Sequence, residues 1–244
     1  MELLKGDCLE LMKDIPDKSI DFIFTDLPYG TTQCKWDSVI DLEKLWEQYK
    51  RIIKDNGCIA LFAAAPFDKV LAMSNLDMFR YEWIWEKTKA TGHFNAKKMP
   101  MKAHENILIF YKELPTYNPQ MTTGHKPVNS FTKKKDIADK SEVYGKNTKT
   151  VSGGGSTVRY PRSVLKFSSD TQKSSLHPTQ KPLALCEYFV KTYTNEGDLV
   201  LDTCMGSGTT GLACKNLNRD FIGMELDEEY FKVAEERIGG TKWI

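Results

Sequence analysis

The chain has 244 residues, of which 41% are hydrophobic and 27% charged, with a formal net charge of +1. That is the size and composition of a soluble globular protein, either one large α/β domain with an insertion or two small domains. A membrane-spanning chain is excluded, because the best apolar run, Cys58–Phe67, is half the roughly 20 residues a span needs, and Met1–Asp7 lacks the shape of a signal peptide.

Leu3–Lys5 reads as a short strand that stops at Gly6-Asp7, and Cys8–Ile15 as a short helix with Leu9, Met12 and Ile15 on one face. Ile20–Thr25 is a continuous β-like run, as a strand buried on both faces requires. Leu42, Leu45, Trp46, Tyr49, Ile52 and Ile53 recur at helical spacing, and Asn56-Gly57 supplies a stop signal. A buried strand from Cys58, a helix over Phe67–Asn75 and two further strands, Tyr81–Lys87 and Asn106–Lys112, follow. Trp83 and Trp85 share one face of their strand and are expected in the core.

The alternation then fails from about Glu113 to Ser175, a stretch rich in Lys, Ser, Thr, Asn and Pro. It is too long for an ordinary connection and too short for a second large domain. It is read as an insertion over 113–175, between a first half at 1–112 and a second at 176–244. Charge divides along similar lines. From Glu86 to Lys181 there are 18 Lys or Arg against 7 Asp or Glu, a surplus of 11; the remainder holds 16 against 26, a deficit of 10. Such a basic middle third is what a polyanion-binding surface needs, although a solvated lysine-rich loop has the same composition. Helices over Leu183–Tyr193, Thr210–Leu217 and Glu229–Arg237 then alternate with strands Leu199–Asp202 and Phe221–Glu225. The β-α order predicts a mostly parallel, doubly wound sheet.

Two stretches carry chemistry. Asp26-Leu27-Pro28-Tyr29-Gly30 puts a carboxylate and an aromatic ring where a strand stops. Gly206, Gly208 and Gly211 fit the glycine spacing of a loop that receives an adenosine-bearing ligand at a helix N-terminus. Asp202, four residues before the first glycine, would repel a pyrophosphate but suits a cationic ligand end. Glu225 ends the next strand, where a carboxylate can accept both hydroxyls of a ribose. The six cysteines, at 8, 34, 58, 186, 204 and 214, form no C-x-x-C pair and lie at no ligand spacing with histidine. Free thiols in a reducing cytosol are expected, and no metal.

Asp26-Leu27-Pro28-Tyr29 resembles the D-P-P-Y motif of amino-methyltransferases. Asp202–Thr210 resembles their S-adenosylmethionine loop, and His177–Pro182 (H-P-T-Q-K-P) the segment before that loop. In this order, interrupted by the insertion, they are similar to the β class of DNA amino-methyltransferases over nearly the whole chain outside the insertion. The resemblance implies a circularly permuted seven-stranded methyltransferase sheet, S-adenosyl-L-methionine as cofactor and double-stranded DNA as substrate. It places Asp7 near the cofactor's adenine amine and Glu225 on its ribose. Asp202 and the backbone of Gly206, Ser207, Gly208 and Thr209 line the methionine portion, with Thr179 and Lys181 nearby; Cys8, Cys204, Thr210 and Leu226 complete the expected pocket. The sequence departs from the motif at Leu27, which lacks the φ restraint of proline but keeps the backbone carbonyl.

An exocyclic amine is a poor nucleophile because its lone pair is delocalised into the ring. Asp26 and the Leu27 carbonyl are expected to accept its two hydrogens, Pro28 to hold the turn and Tyr29 to stack on a base that has left the duplex. Lys97, Lys98, Lys102, Lys133, Lys134, Lys135, Arg159 and Arg162 are candidates for phosphate contact. His104 and His177 have no role in such chemistry. Aspartate at the first tetrad position goes with adenine N6 in the family, with cytosine N4 as the alternative. A catalytically silent DNA-binding protein and a nicotinamide oxidoreductase remain as other classes. The family also admits homodimers and pairing with a restriction endonuclease, in a prokaryotic or phage-infected cytoplasm.

Overall fold

The computed structural model of the protein describes residues 1–30, 39–129, 131–133, 151–168 and 180–239. In chain order the elements are β1 (Glu2–Lys5), α1 (Cys8–Leu11) with a 3-10 turn at Met12–Asp14, β2 (Ile20–Asp26), α2 (Leu42–Ile52), β3 (Ile53–Ala63), α3 (Phe67–Met73), β4 (Phe79–Thr91) and β5 (Lys102–Phe110). The short β6 (Phe131–Lys133), β7 (Val151–Gly153) and β8 (Val164–Phe167) follow. Then come α4 (Leu183–Tyr193), β9 (Leu199–Asp202), α5 (Thr209–Asn216), β10 (Asp220–Glu225) and α6 (Glu228–Ile238). The chain divides into two compact units. One comprises Met1–Asn118 with Ser163–Ile244, the other Pro119–Arg162.

The first unit is built on an eight-stranded sheet in the order β1-β10-β9-β2-β3-β5-β4-β8. Strands β1, β10, β9, β2 and β3 pair in parallel, and β4 pairs in parallel with β8. Only β5, antiparallel to both β3 and β4, reverses the direction. The sheet is thus mostly parallel, as expected, with one strand more than the seven anticipated. The additional strand is β8, which comes from the stretch read as insertion and aligns Val164–Phe167 with Ile84–Lys87.

Side-chain alternation sorts the core into two layers. Phe22, Phe24, Ala60, Phe62, Ile107 and Ile109 point to the face covered by α4, α5 and α6. Ile20, Ile23, Ile59, Leu61, Leu108 and Phe110 point to the opposite face, covered by α1, α2 and α3. Trp83 and Trp85 are in the first layer, with their indole N–H groups donated to Tyr193 Oη at 2.7 Å and to the Phe167 carbonyl at 3.0 Å. α2 follows its apolar stripe, with Leu45, Trp46, Tyr49 and Ile52 buried, and Asp41 caps it by accepting from the Glu43 and Lys44 amides.

Asn56-Gly57 does not stop this helix. The chain passes directly from Ile52 into β3, and the pair lies inside that strand. A Cβ on Gly57 would come within 2.7 Å of the Ile53 side chain and 3.0 Å of the Asp21 carbonyl. Close approach, rather than a turn, is what the glycine supplies there.

The second unit holds the antiparallel β6–β7 pair and a bridge between Thr122 and Arg159, and it falls within the stretch expected to be an insertion.

Around the last parallel strands the packing leaves no room for side chains at certain glycines. A Cβ on Gly211 in α5 would lie 2.4 Å from Ile238 Cδ1 of α6 and 2.7 Å from the Phe221 ring. Gly211→Ala is therefore expected to destabilise the protein by about 1–3 kcal/mol through overpacking, measured as a fall in the denaturant midpoint at unchanged slope.

Candidate active site

Four carboxylates far apart in the chain meet along one edge of the sheet. Asp26 ends β2, Asp202 ends β9 and Glu225 ends β10, while Asp7 follows β1 and caps α1 by accepting the Leu9 amide at 2.8 Å. These are the C-terminal ends of neighbouring parallel strands, the edge at which ligands bind in sheets of this kind. Strand spacing of about 4.8 Å puts Asp26 and Glu225 on the order of 10 Å apart, with Asp202 between them.

The spacing is held by a buried polar clamp beneath the edge. Thr25 Oγ1 accepts the Thr203 amide at 3.0 Å, and the Tyr49 hydroxyl of α2 meets Thr203 Oγ1 at 2.6 Å. Thr25 and Thr203 adjoin Asp26 and Asp202, so the clamp ties the two strand ends to each other and to a helix.

The cofactor-loop candidates fall in two sets. Glu225 is engaged by the loop itself, with the Gly206 and Asp227 amides donating to its two oxygens at 2.8 Å each. Gly206 and Gly208 adopt φ of 51° and 75°, a left-handed turn that favours glycine. Ser207 and Thr209 are buried and face α6, where Arg237 Nη1 donates to Ser207 Oγ at 2.9 Å and Thr209 Oγ1 at 3.2 Å. Their hydroxyls shape the loop from behind. Cys8 is buried and Cys204 partly so, and both are free thiols. Leu226, 65% exposed, projects beside Glu225. Thr179, like His177, Lys134, Lys135 and Cys34, lies outside the described residues, as does the side chain of Lys133.

Asp202 is 4% exposed, and burial pushes its carboxyl up to about 7 against the Thr210 hydroxyl and the Cys204 amide, which favour the charged form. Burial likewise raises Glu225. No ion pair to Asp7, Asp202 or Glu225 occurs among the described residues. An acidic edge without its own counter-ions suits a ligand carrying positive charge and disfavours a pyrophosphate.

The Asp26 end differs, because here the protein supplies the cations. Asp26 Oδ1 accepts the Tyr29 hydroxyl at 2.7 Å, and Oδ2 lies 2.5 Å from Lys181 Nζ. Lys181 also stands 3.3 Å from Glu105 Oε2 of β5, whose Oε1 is 2.5 Å from Lys87 Nζ of β4. The result is a row of alternating charge, Asp26–Lys181–Glu105–Lys87, across the ends of β2, β5 and β4. Burial raises the Asp26 carboxyl and Glu105 adds to this, while Lys181 opposes both. Burial also raises Glu105, but the two ammonium groups outweigh it and hold that carboxyl below its ordinary value. Burial acts to lower Lys181, yet its two carboxylates keep it raised, so it is a permanent cation.

The Tyr29 ring stacks on Phe67 at 5.2 Å, which fixes its plane, and Lys181 Nζ sits 4.9 Å over the Phe62 ring. Leu27 is buried and packs into the core on the α1–α3 side; Pro28 leads into the turn.

Sequence reasoning brought Asp26, Tyr29 and Lys181 to the site but gave no role to Glu105, Lys87, Phe62 or Phe67. The available signal was Glu105 itself, an acid at the head of the apolar run Asn106–Phe110. Of the basic candidates, Lys97 and Lys98 are exposed on the connection from β4 to β5, and Lys102 is exposed at the first position of β5. In the second unit Arg162 is exposed, whereas the Arg159 guanidinium donates to the backbone carbonyls of Lys126, Ser156 and Val158. His104 is exposed and outside the charge row. No cluster of metal-ligating side chains and no helix long and apolar enough to cross a membrane occur among the described residues.

Asp202 gives a pH test. Its folded pKa is raised above the unfolded value, so stability is lost as pH climbs from about 4 to 7 and the native state must carry a buried charge. Asp202→Asn is expected to be more stable than the parent by about 4 kcal/mol at pH 8, at about 1.4 kcal/mol per unit, and equal to it near pH 4. Urea unfolding at the two pH values measures the difference.

Comparison with known proteins shows the family. The sequence pattern of the N6/N4 DNA methylase family matches residues 20–236. The chain is 30% identical over 250 residues to the type II methyltransferase M.HpaI of Haemophilus parainfluenzae, covering 97% of this chain and 73% of that one. It is 29% identical to M.HinfI of Haemophilus influenzae, covering 98% and 68%. Among solved structures, the crystal structure of the M1.HpyAVI–SAM complex superposes with a TM-score of 0.67 at 28% identity, covering 98% of this chain and 99% of that one. With a matched pattern across most of its length and a relative at this identity, the chain belongs to the N6/N4 DNA methylase family.

Proposed function

We propose that the protein is a site-specific DNA methyltransferase acting on the N6 amine of adenine, with S-adenosyl-L-methionine as its cofactor. The observation that carries this reading is the Asp26 carboxylate, held by Tyr29 and Lys181 at the end of β2, one strand from the acidic cofactor edge. The residues fit the cofactor, since three carboxylates with no ion pair among the described residues line the stretch that would hold a sulfonium and an ammonium. When bound, S-adenosylmethionine supplies an electrophilic methyl group on positively charged sulfur.

The chain's part is to make the amine nucleophilic and to place it. Asp26 and the Leu27 carbonyl accept the two amine hydrogens, which localises the lone pair and stabilises the positive charge that grows on nitrogen. A methyl group delivered to that nitrogen would leave the electron pair of its former carbon–sulfur bond on sulfur. The amine then carries one proton too many, which leaves to Asp26 or solvent. Tyr29 offers an aromatic plane to a base extruded from the duplex, worth about 1–3 kcal/mol. Glu225 accepts ribose hydroxyls, Asp7 lies by the cofactor's adenine, and Asp202 with the Gly206–Gly208 turn faces the methionine end. The motif order, with the tetrad before the cofactor loop, is that of a circularly permuted member of the fold.

Adenine is preferred because the first tetrad residue is aspartate. Cytosine N4 is an amine of similar geometry, and the family spans both bases. Digestion of DNA methylated by the protein, with mass identification of the nucleosides, is expected to give N6-methyladenine; N4-methylcytosine alone would reverse the assignment. In the same assay Asp26→Ala is expected to lower kcat at least a hundredfold while S-adenosylmethionine binding, measured by calorimetry, persists.

Lys97, Lys98 and Lys102 are proposed to contact phosphates. Replacing all three by alanine is expected to weaken DNA binding and to reduce the slope of log K against log salt by about 2–3. An unchanged slope would place the DNA elsewhere.

A further inference from the structure

Both oxygens of Asp26 are occupied, Oδ1 by the Tyr29 hydroxyl and Oδ2 by the Lys181 ammonium at 2.5 Å. An incoming amine has to compete with them for the lone pairs of the carboxylate. A cation on the same carboxylate also opposes the positive charge that methyl transfer builds on the amine. Lys181 in this position holds Asp26 ready and yet obstructs it.

Glu105 offers the way out. Its Oε1 is held by Lys87 at 2.5 Å. Its Oε2 is buried and accepts no hydrogen bond among the described residues, although Lys181 Nζ is only 3.3 Å away. A buried carboxylate oxygen left without a hydrogen bond is costly. Here the cost is met by an ammonium that needs to move only about half an ångström to reach ordinary hydrogen-bond length.

We propose that Glu105 is a positioning residue that provides a second seat for Lys181. When the amine of an extruded base reaches Asp26, the ammonium shifts its weight from Asp26 Oδ2 to Glu105 Oε2, loosening its hold on the acceptor and easing its charge back from the reacting nitrogen. No proton changes hands; Lys181 stays protonated and both carboxylates stay ionised. Lys87 anchors Glu105, so the row keeps zero net charge in both arrangements. This rests on the reading of Asp26 as the group that receives the amine.

The test is a mutant cycle on kcat and KM with the full chain and a methylatable duplex. Glu105→Gln keeps the shape and removes the charge. Its kcat is expected to fall at least tenfold, with the KM for S-adenosylmethionine within twofold of the parent. In a Lys181→Met background the same change is expected to cost less than a further twofold, because Glu105 acts only through Lys181. A packing role predicts losses that multiply across the two backgrounds, and that result, or a parental kcat for Glu105→Gln, would overturn the proposal. Should Glu105→Gln melt too low to assay, Glu105→Asp, which keeps the charge but shortens the reach, stands in the same cycle under the same criteria. Asp26→Ala run alongside separates the two readings. If it retains activity, the assignment of Asp26 fails; if it is inactive while Glu105→Gln is normal, only the second seat fails.

Discussion

Four carboxylates on one sheet edge repel each other, and among the described residues the protein sets cations against one end alone. Beside Asp26 it places Lys181, backed by Glu105 and Lys87. Beside Asp202, Glu225 and Asp7 it places backbone amides and hydroxyls but no cation among the described residues. The edge therefore has a self-neutralised end and an end with negative charge to spare. The neutralised end suits a neutral reactant whose charge appears only as it reacts. The uncompensated end suits a ligand that arrives positively charged. The raised Asp202 carboxyl is the thermodynamic trace of that asymmetry, a native-state cost that a cation can offset.

Position along this edge is set by packing rather than by the loops. The Thr25–Thr203–Tyr49 clamp lies under Asp26 and Asp202 and joins two strands and a helix in one buried group. Arg237 braces the glycine turn from α6, and Gly208 and Gly211 let that helix approach closely. Groups meant to act within tenths of an ångström are thus carried by strand ends with a supporting layer, the arrangement that holds a site in register.

Much of this could be read from the chain. Hydrophobic runs located β2, β9 and β10, and an acid ending each run marked the edge. The β-α order implied parallel strands, but the direction of β5 could not be read, because alternation of side chains is the same whichever way a strand runs. The antiparallel course of β5 therefore emerged only from its pairing with β3 and β4. The partnership of Lys181 with Glu105 was hidden for a related reason. The two residues are brought together by sheet order, and in the sequence Glu105 is one acid at the start of an apolar strand. Asn56-Gly57 misled because the pair is a stop signal in a helix and a close-contact device in a strand, and only the partner at Asp21 distinguishes them. Val164–Phe167 is short and half-exposed, so its place in the main sheet left little trace in its composition.

The sheet order also has a consequence for the protein while it is being made. Lys5 pairs with Glu225, and β2 has β9 as its neighbour on one side, so the first strands wait for partners synthesised nearly two hundred residues later or more. At about 5–20 residues per second that is roughly ten seconds or longer. Over that interval β2 and β3 can pair, but Asp26 has no Asp202 beside it and the glycine turn does not yet exist. The strand-end edge that brings these carboxylates together is therefore complete only once translation has passed β10.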